Sequence, residues 1–80
     1  IHIHHQELWE KALHHLPTTD AGVPYGSPEM VVSITELLQT TDLPSRGIFV
    51  MEGHEEGIFA FGKDLAAAFR VLENAFNRFL

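Results

Sequence analysis

The 80-residue chain contains no cysteine. Without thiols there is no disulfide framework, and any metal site must be built from histidine and carboxylate. Basic residues are scarce: 5 Lys and Arg stand against 11 Asp and Glu, a formal net charge of -6. A nucleic-acid or anionic-membrane surface needs a basic footprint, which this balance does not supply. No apolar run approaches the roughly 20 residues of a membrane span, and no signal-peptide pattern is present. What remains is a globular composition, 45% hydrophobic and 20% charged, on a length that allows one small domain. The sequence opens at Ile1 within an alternating stretch, so it is expected to be part of a longer cytoplasmic protein.

The rest is organised around Arg46 to Asp64. Two apolar runs, Ile48–Met51 and Ile58–Phe61, flank the polar segment Glu52-Gly53-His54-Glu55-Glu56-Gly57. Runs of this length, rich in Ile, Val and Phe and bounded by Gly, predict buried strands joined as a hairpin. His54 then sits at the exit of the first strand, where a side chain leans out of the sheet.

At the start, Ile1-His2-Ile3-His4 alternates with period two. In a strand His2 and His4 share one face and the isoleucines the other. Two imidazoles side by side on a rigid element suit a metal. The plainer alternative is a half-buried strand with two surface histidines. A cupin-like site would add Glu7, but the chain turns helical where a cupin continues in strands. The reading adopted is that His54 closes a metal site opened by His2 and His4.

His5 to Leu16 predicts a short amphipathic helix with Leu8, Trp9, Ala12, Leu13 and Leu16 inward, Glu7 and Lys11 paired outside, and Pro17 as its stop. His5 reads as a helix-start residue, and His14 and His15 as last-turn cations favoured by the helix dipole. Pro17 to Pro28 reads as loop, with Tyr25 a packed loop aromatic in preference to a substrate or subunit contact. Ser27-Pro28-Glu29 is a helix-start signature for a helix to about Gln39, with Met30, Val31, Ile34, Leu37 and Leu38 buried. Thr40 to Ser45 reads as a link. Asp64 caps a final helix to Leu80, whose stripe is Leu65, Phe69, Leu72, Phe76 and Phe79.

His2-x-His4, the stretch Val23-Pro24-Tyr25-Gly26-Ser27-Pro28-Glu29, Gly53-His54 and Phe61-Gly62-Lys63-Asp64-Leu65 occur in an order that resembles the C-terminal half of the class II aldolase/adducin family. The resemblance spans essentially residues 1–80, which would be the C-terminal part of one such domain. It implies a three-layer α/β/α fold with a mostly antiparallel sheet and a homotetramer with active sites at subunit borders. It also implies a divalent metal, usually zinc, on His2, His4 and His54.

Three neutral imidazoles leave an open coordination position, the pattern of catalytic zinc. The implied activity is a metal-dependent lyase or epimerase on a phosphorylated sugar, with zinc polarising the carbonyl and its enediolate. The alternative is a non-catalytic, adducin-like assembly domain. The family's glycine-rich phosphate loop and its acid/base Glu have no counterpart here, so this stretch alone is expected to be inactive. Glu52, Glu55 and Glu56 read as solvated turn carboxylates.

Overall fold

In the computed structural model, which describes residues 1–80, the two apolar runs form the centre of a sheet. Strands β3 (Ile48–Met51) and β4 (Gly57–Ala60) pair antiparallel, with Ile48 opposite Ala60, Phe49 opposite Phe59 and Val50 opposite Ile58. Side chains alternate across a strand. Ile48, Val50, Ile58 and Ala60 therefore share one face, while Phe49, Met51 and Phe59 share the other. The Phe49 and Phe59 rings stack at 5.4 Å, a cross-strand pair that helps fix the register. The second strand begins and ends one residue earlier than its apolar run, because Gly57 rather than Phe61 joins the ladder.

Two short strands complete the sheet in the order β1-β4-β3-β2. Strand β1 (His2–His4) runs antiparallel to β4, and β2 (Thr18–Thr19) runs parallel to β3. The stretch expected to be loop from Pro17 to Pro28 thus contains a strand. Two residues carry no periodic signal; β2 is held from outside itself, by Val50 N–H donating to the Pro17 carbonyl at 2.8 Å.

Helices cover both faces. On the Ile48/Val50 face lie α1 (Gln6–Ala12) and α4 (Leu65–Phe79), contributing Leu8, Ala12, Leu72 and Ala75. Leu8 is fully buried, worth about 1.5–3 kcal/mol by transfer. On the Phe49 face lie α2 (Pro28–Thr40) and α3 (Leu43–Arg46), contributing Met30 and Leu43. Ser27 and Asp64 cap α2 and α4, accepting from the Met30 and Ala67 N–H groups. The result is a mixed α/β domain with a four-stranded mixed sheet and four helices.

Four details differ from the sequence expectations. Helix α1 ends at Ala12, not Leu16, because His14 adopts the left-handed region at φ 63. The N–H of His14 is taken by the Thr18 hydroxyl, so neither His14 nor His15 lies in a last helical turn. The link before the hairpin contains α3, held by an Arg46–Asp42 pair at 2.7 Å. In α2, Val31 and Leu38 are exposed while Ser33 is buried, accepting the Asp20 N–H. In α4 Ala68, Leu72 and Ala75 are buried and Phe76 and Phe79 pack half-buried against the same core, but Leu65 and Phe69 are 75% and 57% exposed. They flank an open groove beside Ile1 instead of entering the core.

Candidate metal centre

The register of β1 decides where its histidines point. His2 lies opposite Phe59 and His4 opposite Gly57, and directly paired residues share a face. Both imidazoles therefore stand on the α2 side of the sheet, while Ile3, opposite Ile58, turns into the other core. Ile1 anchors the strand through its backbone nitrogen and carbonyl, both bonded to Ala60.

His54 reaches the same place from the hairpin turn. Its N–H donates to the Met51 carbonyl at 3.2 Å, its own carbonyl accepts from Gly57 at 2.8 Å, and Glu56 completes the reversal at φ 66. Two glycines make room. A Cβ on Gly57 would lie 2.5 Å from Cδ2 of His54, so the imidazole rests on bare backbone opposite His4. A Cβ on Gly53 would run into the Val23 carbonyl and approach that of Ala21 to 2.9 Å. The Ala21–Tyr25 segment thus packs directly on the turn. It brings Tyr25 over His54, with rings stacked at 4.6 Å and 22°, and to 4.9 Å from the His2 ring.

One nitrogen from each of His2, His4 and His54 lies within 4.8 Å of the other two. The Nε2 atoms of His4 and His54 are 3.0 Å apart, as a shared proton requires. Around a tetrahedral ion with bonds of 2.0–2.1 Å, donor nitrogens stand roughly 3.3–3.4 Å apart. The widest pair closes to that spacing by side-chain rotation on the order of 1 Å. Nε2 of His2 is buried with no hydrogen-bond partner, which costs free energy unless something else takes its lone pair or proton. Burial, then the neighbouring His4 and His54, lower the His2 pKa below 6.5 and favour the neutral, ligating form. The donor set therefore fits a divalent ion.

The other histidines lie outside this group. His5 caps α1, its Nδ1 accepting from Leu8 N–H at 3.1 Å while its ring meets Phe76 edge-on. His14 faces Glu52 at 3.3 Å, and the His15 ring lies 6.4 Å from that of Phe79. No carboxylate joins the cluster; Glu7 pairs with Lys11 at 3.1 Å on the exposed side of α1.

Tyr25 is the residue whose place the sequence hid. Read as a packed loop aromatic, it is 50% exposed and walls the histidine cluster. It also lines a cleft of about 480 Å³ on the same sheet face, formed with Met30, Ile34, Phe49, Met51 and Phe59 among others. Its setting depends on the fit of Gly53 to a segment 30 residues away, which no local pattern encodes. Trp9 is a second such case: its indole N–H donates to the Met51 carbonyl at 3.0 Å, tying α1 to the base of the turn. No helix is long and apolar enough to cross a membrane. No protein-family model, no curated protein and no solved structure matches this chain.

Proposed function

We propose that His2, His4 and His54 hold one divalent ion, zinc being the metal best suited to three imidazoles, in a lyase or epimerase of the class II aldolase type. The observation that carries the reading is the convergence of three histidine nitrogens from two distant segments; the His2 ring also has a buried Nε2 with no hydrogen-bond partner. When bound, the ion supplies Lewis acidity to a substrate carbonyl and the hydroxyl beside it. The chain's own part is positioning. The β1 register fixes His2 and His4, Gly57 lets His54 lie against them, and Tyr25 shields one face of the His54 ring. The three-layer aldolase-like architecture, the tetramer and the phosphorylated-sugar substrate rest on the resemblance of motifs alone. A cytoplasmic location belongs to the same proposal.

A second reading is an assembly domain of the adducin kind, for which the exposed Leu65 and Phe69 on α4 offer an apolar contact face. The two are separated by assaying the intact protein for retro-aldol cleavage and epimerisation of ketose phosphates, before and after chelation. Metal-dependent turnover supports the enzyme. A protein that binds metal yet turns over none of these substrates, while its oligomer depends on this domain, supports assembly.

A further inference from the structure

The cleft beside the histidines is chemically one-sided. Nine of its eleven lining residues are hydrophobic, and none is Lys, Arg, Asp or Glu. It adjoins the cluster through two side chains. Tyr25 lines it and stacks on His54; Phe59 lines it and lies 6.1 Å from the His2 ring. A volume of about 480 Å³ is within the range that holds small organic ligands.

We infer that this cleft binds the apolar arm of a small ligand whose oxygen-bearing head sits at the three histidines. This rests on the metal reading above and replaces the phosphorylated-sugar substrate, which rests on the resemblance of motifs alone, with a ligand that carries an apolar arm. Three neutral imidazoles leave the ion's double positive charge uncompensated, which selects an anionic or strongly dipolar oxygen head. The cleft offers no cation to a phosphate, and burying an unpaired phosphate against Phe49, Met51 and Phe59 is strongly unfavourable. An alkyl or aryl arm instead gains by leaving water. The chemical class is thus a hydroxy-carbonyl or carboxylate compound with an apolar tail of several carbons.

The test uses the intact protein loaded with cobalt(II), whose visible absorption reports its ligands, and alkyl hydroxamates as probes that chelate through two oxygens. Appearance of the cobalt spectrum, and its loss in the His54→Ala variant, checks the metal reading separately. Affinity should then rise roughly three- to fourfold for each methylene between acetohydroxamate and hexanohydroxamate. Val31 lines the cleft and is 66% exposed, so Val31→Glu leaves the fold intact. That variant should bind acetohydroxamate as the wild type does and lose the gain with chain length. Equal affinity across the series in a protein that does bind cobalt overturns the inference while leaving the metal reading standing. This is also the result if another part of the protein fills the cleft. Failure to bind cobalt removes both.

Discussion

The Nε2 atoms of His4 and His54 stand 3.0 Å apart across 50 positions of sequence. Two neutral imidazoles cannot meet nitrogen to nitrogen unless one of them carries a proton into the gap. In the proposed metal-bound form a divalent ion would take the place of that proton and draw in His2, whose own Nε2 has no partner. Gly57 beneath the pair and Gly53 beside it set that geometry.

The first prediction concerns those glycines. Gly57→Ala places a methyl group against Cδ2 of His54, and Gly53→Ala drives the Ala21–Tyr25 segment off the turn. Both should lower metal affinity about 10- to 100-fold, the usual cost of disturbing the groups that orient a ligand. Competition with a chromogenic chelator measures it. Unchanged affinity in both variants would show that His54 is not held by this packing.

A second prediction is the pH dependence of the metal-free protein. The folded-state pKa of His2 is depressed below 6.5, first by burial and then by His4 and His54. As pH falls below 6.5 the unfolded chain takes up a proton at His2 that the folded chain refuses. The contribution of His2 to stability is therefore present above 6.5 and is lost as pH falls towards the depressed folded value. Urea midpoints should decline over that window, and the decline should be shallower in His2→Phe. With metal bound, protons compete for the same nitrogens, so occupancy should fall below about pH 6.

The third prediction separates structural from ligating histidines. His5 accepts the Leu8 N–H at the start of α1, so His5→Ala should cost about 1 kcal/mol of stability and leave metal affinity unchanged. His14 makes one exposed contact with Glu52, and His14→Ala should alter neither by a measurable amount. Denaturant unfolding and metal titration of the two variants check both statements.

Local signals were legible in the sequence, and tertiary ones were not. The hairpin showed because Ile, Val and Phe runs bounded by glycine mean strands almost wherever they occur. Ser27 and Asp64 showed because a cap is a local hydrogen bond. The face shared by His2 and His4 followed from period two alone. The early end of α1 was hidden because a histidine, not a glycine, takes the left-handed position. On α4 the expected Leu72, Phe76 and Phe79 do face the core, while Ala68 and Ala75 carry little hydrophobic signal yet take buried places, leaving Leu65 and Phe69 outside. The approach of His54 to His4 depended on Gly57 pairing with His4, and the wall made by Tyr25 depended on Gly53 meeting Val23. Both are relationships between distant residues, for which a single sequence has no periodicity to read.

The measurement that tests the central claim most directly is the metal content of the intact protein and of its His54→Ala and His14→Ala variants, purified in parallel at neutral pH and supplied with zinc. The account predicts about one zinc per chain in the wild type and in His14→Ala, and near-complete loss after dialysis in His54→Ala, because two imidazoles are too few to retain the ion. Equal zinc retention by wild type and His54→Ala, or none in any of the three, would contradict it.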